Sequence, residues 1–476
     1  MAPPYRKAGQ KRRKPRQHSS NSTGKSGGRL PANAPPIEVT ITGLGGKGDG
    51  IGTANYTHHY QTKSHLVFVP NSLPDETIIA QPTSLTGQGI QADLIELQSA
   101  SPHRKDPDCQ AAPACGGCQF QHMKRPAYDA WKGDHVTSIL DKHHIKPAEW
   151  RATYHAEMNS RRRTRLAFRK RRDDVLIGFR GRASHIIIAP ESCVILAPEL
   201  LECRTQCQDK LLSLLPTGTV GEVEITLCDN GCDVRLVLAE IPQRDILTDL
   251  TLAASQTDII RLSYGTSSDE INLLYVKQTP VIAWQMPDGA TSDKVTLAPA
   301  PASFLQADSG AETQMKADIF EALSGANAVL DLFCGSGTLS LPLLFQDNPP
   351  ARLDAYDTGE DAIASFTQMA HHAGHAMRLS AKRRNLFEAP LTDKELEGFD
   401  AVIIDPPRAG AAAQMPAIAR SQIAKIMMVS CNPYSFAKDA TILTQAGYHC
   451  RWLRLVDQFL LTAHCELIAL FERDEA

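Results

Sequence analysis

Long apolar runs are missing from this 476-residue chain, and no stretch reaches the roughly 18 residues that cross a bilayer. The first residues hold no apolar core of the kind a secretory leader carries. These two absences predict a cytoplasmic protein with no membrane contact. Acids are missing from residues 1–36, which hold nine Lys or Arg, from Arg6 to Arg29. With a net charge of −3 overall, the remainder therefore carries −12. A segment this polar buries too little to fold alone and is read as a disordered tail. Its charge suits a phosphate backbone; the alternative is a tail that only keeps the protein soluble. Disulfides are not expected either. Most of the twelve cysteines are read as small buried hydrophobes, and only those at tight spacing need another explanation.

The hydrophobic fraction of 42% and charged fraction of 22% describe a globular chain, long enough for two or three domains. From residue 37 to 98, short β-like runs alternate with glycine turns, the pattern of a small barrel. Residues 99–118 read as loop, and 124–143 as a helix with Tyr128, Trp131, Val136 and Leu140 at helical spacing. Residues 99–300 mix strands and helices as a central domain. From 301 to 476 the runs AVLDLFC, LDAYD, DAVIID, KIMMVSC and ELIALFE read as short buried strands with helices between most of them. This predicts a doubly wound α/β domain.

The segment VLDLFCGSGTLSLPLL predicts a strand, a turn at Cys334-Gly335-Ser336-Gly337, and a helix from about Thr338. Glycines there let a ligand approach the backbone. Asp357, about 20 residues on, suits ribose hydroxyls. The third glycine of a dinucleotide loop is missing. The acid ending the first strand suits an S-adenosylmethionine amino group better than a pyrophosphate. Phe333 lies in this loop, where it is either a pocket residue or plain core. Asn385, near the end of the third strand, either bonds an adenine or caps the next element.

DPPRAG (405–410) and SCNP (430–433) both follow predicted parallel strands, where open α/β sheets bind ligands. Cys431 is the candidate nucleophile, a role that needs a thiol that ionises readily. The alternative is an inert buried cysteine. Glu466 opens an otherwise apolar strand, where burial would raise its pKa and suit it to accept a proton. Cys109, Cys115 and Cys118 converge on a glycine-bearing loop and need a fourth ligand: Cys193 first, with Cys203 and Cys207 as rivals. Four thiolates suit zinc or an iron–sulfur cluster, and the spacing favours the cluster. The arginines of SRRRTRLAFRKRR predict a strand pair with a basic face that tracks phosphates, or else ordinary solvated charge.

Taken together, these motifs resemble the RNA uracil-5 methyltransferase family, most closely its ribosomal 23S RNA branch with an iron–sulfur cluster. The resemblance covers about residues 37–476. It rests on C-x5-CGGC-QFQH at 109–122, Cys193, SFLQ at 303–306, DLFCGSGTLSLPL, DPPRAG, SCNP and DQF…H-x-E at 457–466. It implies a class I, Rossmann-like methyltransferase domain, an OB-type TRAM barrel that binds RNA, and a central α+β domain with an iron–sulfur loop. It also implies that residues 120–149 pack on the catalytic domain. By the same resemblance Cys431 is the nucleophile and Glu466 the base. Cys109, Cys115, Cys118 and Cys193 hold a [4Fe–4S] cluster. Gln306, Phe333, Gly335, Asp357, Asn385 and Asp405 line the S-adenosylmethionine pocket. The implied reaction adds a thiolate to carbon 6 of uracil so that carbon 5 takes the methyl group. The implied substrate is 23S ribosomal RNA, with transfer RNA as the alternative, and the protein is read as a monomer. A non-catalytic RNA-binding module is the competing reading. Asn385 stands where the family often has Asp, and Thr338 where the ribosomal branch often has Asn.

Overall fold

Alternation decides the first strand. Ile37–Leu44 buries Ile37, Val39 and Ile41 and leaves Glu38, Thr40 and Thr42 exposed, the period-2 pattern of a sheet with one wet face. The computed structural model of the protein describes residues 28–58, 61–182, 184–267, 270–285 and 294–473. Contacts divide the chain into two units, one running up to Gly43 and from Gly50 to Ala100, the other comprising Leu44–Asp49 and Ser101–Ala476.

In the first unit the strands Ile37–Leu44, Gly50–His58, Gln61–Val69, Thr77–Thr86 and Gly89–Ser99 close into a five-stranded barrel. Closure leaves no central edge unpaired. Most of the basic tail lies outside the described residues, but its last part is built in. Gly28–Arg29 pair with Leu85 and Ser84, and Leu30 and Ala34 are buried. The boundary at residue 36 is therefore late: this stretch carries apolar groups that the overall charge of the segment obscures.

In the second unit, one sheet runs in the order Leu379–Arg383, Arg352–Asp357, Ala328–Leu332, Ala401–Ile404, Lys425–Ser430, Glu466–Arg473, Tyr448–Asp457 and Glu149–Trp150. The first five are parallel, and Glu466–Arg473 enters antiparallel between two strands that precede it. Both faces are covered, so alternation here separates two cores rather than core from solvent. Leu330, Val402, Ile426 and Leu467 face one core, and Val329, Ile403, Met427 and Ile468 the other. The helix Arg125–Lys142 adds Val136, Ile139 and Leu140 to the first core. A second sheet runs from Ile187–Ile188 through Val175–Arg180, Arg163–Lys170, Val220–Cys228, Gly231–Leu238 and Ile259–Gly265 to Asn272–Val276.

Two expectations need correction. Contacts do not separate residues 99–300 from 301–476. Helix 125–142 shares the catalytic core, and Arg162 is buried against Glu312 with Lys316 on its other oxygen. The helix expected at Thr338 is also absent. Turns lead instead to a short 3-10 helix, Leu341–Phe345. Pro342 removes a backbone donor and disfavours helical geometry in the residue before it, and Pro349-Pro350 stop the chain soon after.

Buried ionic contacts brace the frame. Asp457 ends its strand in the interior, where Tyr128 donates to it at 3.0 and 2.9 Å and Lys132 forms an ion pair. Burial pushes this carboxyl up, but His155, Lys132 and Tyr128 together hold it below the usual carboxylate range. The resulting stabilisation is present above about pH 4 and is lost as pH falls further. Replacing Lys132 with Met should strand a buried charge and cost about 3–5 kcal/mol, read as a lower urea midpoint at neutral pH. An unchanged midpoint would show that this pair braces nothing.

Candidate active site

The first parallel strand, Ala328–Leu332, delivers Phe333 in a left-handed conformation (φ 62°), with its N–H donating to Tyr356 O at 2.9 Å. The chain then turns through Gly335 and Gly337, both at positive φ. A Cβ on Gly337 would lie 2.4 Å from the Phe366 ring, so only glycine fits there. Asp357, ending the second strand, accepts from Gly335 N–H at 3.1 Å and from Gly359 N–H at 2.8 Å. It thus holds the glycine turn against the next strand. Phe333 and Phe387 stand 5.5 Å apart with tilted rings. Asn385 lies two residues past the strand Leu379–Arg383, and its side-chain oxygen accepts Phe387 N–H at 3.1 Å. That contact fixes the turn after the strand.

Acids crowd this end of the sheet. Burial, with Asp405 and Asp357 nearby, pushes the Asp331 carboxyl up to about 7 against the opposing pull of Ser340, and its Oδ2 has no hydrogen-bond partner among the described residues. Burial and the Asp357 charge raise Asp405 as well. A buried acid left short of partners suits a cationic ligand group. The residues therefore fit the amino acid and sulfonium charges of S-adenosylmethionine.

Cys431 follows the strand Lys425–Ser430 and precedes the helix Pro433–Gln445. Asn432 caps that helix, accepting Tyr434 N–H at 3.1 Å and donating to Arg408 O at 2.9 Å. Glu466, first in its strand, is buried and accepts from Gln458 Nε2 at 3.0 Å. Gln458 also donates to Gln306 Oε1 at 2.7 Å and accepts Ala307 N–H at 2.9 Å. One amide therefore ties the candidate base to the candidate cofactor residue Gln306. Burial, then the Asp405 charge, pushes Glu466 well above the usual range.

The thiol differs from expectation. Burial first, then Glu466 and Asp405, push Cys431 up to about 11, while Arg408 draws it down. Its helix N-terminus does not overcome burial and two acids, so this thiol is harder to ionise than a free cysteine.

Cys431 opens on a cavity of about 400 Å³ that Cys109, Cys115, Cys118, Cys193 and Arg161 also line. The structure thus brings the candidate nucleophile and all four expected cluster ligands to one cavity. Cys203 and Cys207, the rival ligands, do not line it; they are buried in the core against which Cys193 packs, where the Cys203 thiol is hydrogen-bonded with Cys207 and Cys232. The QFQH motif positions the loop. Gln119 and Phe120 N–H donate to Leu461 O at 2.8 and 3.1 Å, and Gln121 Oε1 accepts Cys109 N–H at 2.9 Å. Gly117 N–H points at Cys115 Sγ, 3.4 Å away. Burial pushes Cys118 up to about 12 and raises Cys115, and each feels the other thiols.

Residues 360–474 match the family described as tRNA (Uracil-5-)-methyltransferase. An RNA methyltransferase of Rhizobium meliloti is 31% identical over 91% of this chain and 99% of its own. The chain belongs to the RNA uracil-5 methyltransferase family. A second relative, the 23S rRNA (uracil(1939)-C(5))-methyltransferase of Shewanella putrefaciens, is 30% identical over 89% of this chain and 93% of its own. The fold is also that of the Pyrococcus abyssi tRNA (uracil-54, C5)-methyltransferase in complex with S-adenosyl-L-homocysteine. That structure has a TM-score of 0.66, with 21% identity over 91% of this chain and 99% of the other.

For an RNA methyltransferase the arginine-rich strand needs sorting. Arg163–Lys170 does pair with Val175–Arg180. Arg162, however, is buried structure, and Arg165 and Arg180 both pair with Glu222. Arg169, Arg171 and Arg172 remain exposed. Sequence reasoning gave Gln121 and Gln458 no role of their own, although QFQH and DQF contain them, and it missed Lys132, which lies in no motif.

Arg408 supplies the sign test for the thiol. Exchanging it for Met removes the cation that lowers Cys431, so alkylation of Cys431 by iodoacetamide should move to higher pH. A shift to lower pH would contradict the assigned field.

Proposed function

We propose that this protein methylates carbon 5 of a uridine in 23S ribosomal RNA through a transient bond between Cys431 and carbon 6. The observation that carries the reading is the site itself: Cys431 on an open cavity, with Glu466 and Asp405 close enough to set its ionisation. S-adenosylmethionine, when bound, supplies an electrophilic methyl group. Gln306, Phe333, Gly335, Asp357, Asn385 and Asp405 would hold it, with Asn385 fixing the turn that carries Phe387. Cys431, as its thiolate, adds through Sγ to carbon 6 and loads electron density onto carbon 5; carbon 5 takes the methyl group as the donor's methyl–sulfur bond breaks and leaves a neutral thioether. Glu466 then accepts the carbon 5 proton, and Sγ departs as carbon 6 regains its double bond. Burial makes Glu466 a stronger base than an exposed carboxylate, which suits that task. A cation held among these acids would ease ionisation of the Cys431 thiol.

Cys109, Cys115, Cys118 and Cys193 would hold a [4Fe–4S] cluster. All four line one cavity of about 400 Å³, which supports a group held jointly by several thiolates. The cluster would organise the loop, since methyl transfer needs no electron. The five-stranded barrel is read as a TRAM-type RNA-binding module, supported by its OB-like closure. The ribosomal substrate is favoured by the Shewanella relative, whose identity exceeds that of the transfer RNA structure.

Cys431→Ala should abolish methyl transfer, and retained activity would overturn the covalent step. Mapping 5-methyluridine in ribosomal and transfer RNA, with and without the gene, should show a loss in 23S RNA alone. Protein purified without oxygen should be brown, with about four irons per chain; stoichiometric zinc without iron would overturn the cluster.

A further inference from the structure

A ladder of aromatic rings climbs from the core to the surface beside the catalytic loop, and the chemistry above uses none of it. Phe120 is fully buried and lies 4.5 Å from Trp131. Trp131 stacks on His135 at 5.1 Å with planes 8° apart, and His135 meets Tyr434 edge-on at 6.0 Å. Exposure rises along the ladder until Tyr434 is 50% exposed. An aromatic cluster that served only packing would end in the interior. Here the last ring faces solvent three residues after Cys431.

The outer ring is also fixed in place. Asn432 bonds both Tyr434 N–H and Arg408 O, so Tyr434 is tied to the loop whose Arg408 lines the cavity with Cys431. Gly46, of the second unit, packs against both outer rings: a Cβ there would lie 2.9 Å from Tyr434 Oη and 3.1 Å from His135 Cε1. Burial and Lys142 lower the His135 pKa, so its ring is uncharged at neutral pH and packs without a desolvated cation. Two exposed cations flank the patch, Lys47 beside Gly46 and Lys438 one turn after Tyr434. Rigid aromatic faces bordered by lysines suit unpaired nucleotides, whose bases stack while their phosphates meet the charges.

We propose that Tyr434, backed by His135 and Trp131, is the stacking seat for an unpaired nucleobase flanking the target uridine, with Lys47 and Lys438 meeting the adjoining phosphates. The proposal rests on the reading of the protein as an RNA uridine methyltransferase. It adds a substrate-positioning role to a residue outside the nucleophile, base and cofactor sets.

Two readouts test it. With ribosomal RNA from cells lacking the gene, Tyr434→Ala should raise the KM for RNA roughly tenfold and leave the KM for S-adenosylmethionine unchanged. Tyr434→Phe, which keeps the ring, should restore the RNA KM. Independently of turnover, an oligoribonucleotide with 2-aminopurine next to the uridine, on each side in turn, should lose fluorescence on binding. The quenching should vanish in Tyr434→Ala and persist in Tyr434→Phe. If wild-type protein methylates RNA and Tyr434→Ala matches it in both readouts, the seat is overturned and the function stands. If wild-type protein quenches the probe through Tyr434 yet transfers no methyl group to RNA, the function is overturned and the seat stands. If it neither quenches nor methylates, both are overturned.

Discussion

Asp457 and Gln458 are neighbours in sequence, and their side chains leave the end of one strand for different parts of the catalytic unit. Asp457 gathers Tyr128 and Lys132 and so anchors the helix 125–142 to the sheet. Gln458 gathers Gln306, Ala307 and Glu466. The segment just beyond them presents Leu461 O to Gln119 and Phe120, which holds the cysteine loop. Gln306, Glu466 and the cysteine loop therefore all refer their positions to five consecutive residues. Neutral amides suit this task. A Gln bridges a buried carboxyl without adding charge to an interior that already carries too much of one sign.

That excess of one sign explains much of the site. Asp331, Asp405 and Glu466 are all raised by burial, and Cys431 shares their field. Such a cluster is costly without a cation and favourable with one. A cation bound there and the Cys431 thiol would thus feel the same field, and a thiol raised by burial is a poor target for oxidants.

The strands of the catalytic sheet were legible because each is a short apolar run ending at a loop with unusual composition. The helix 125–142 was legible from spacing alone. The sequence was misleading at Thr338, where an apolar run has helical content but Pro342 forbids the geometry. Beyond residues 120–149, whose packing on the catalytic part the resemblance implied, it was silent on the union of residues 99–300 with that part, since that depends on contacts such as Arg162 with Glu312, 150 residues apart. Cys431 and Glu466 could be picked out by position after or within a strand. The state of the thiol could not, because it depends on acids brought close only by folding. The arginine-rich strand shows the same limit: its charge count is visible in sequence, but the pairing of Arg165 and Arg180 with Glu222 is not.

Glu466 opens a strand that slides between Lys425–Ser430 and Tyr448–Asp457, both made before it. Until that strand emerges from the ribosome, the sheet has a slot with two unpaired edges, and one edge ends beside Cys431. An unfinished chain therefore presents an adhesive gap where the finished one holds a buried carboxyl, so the last strand to be made closes both the sheet and the candidate site.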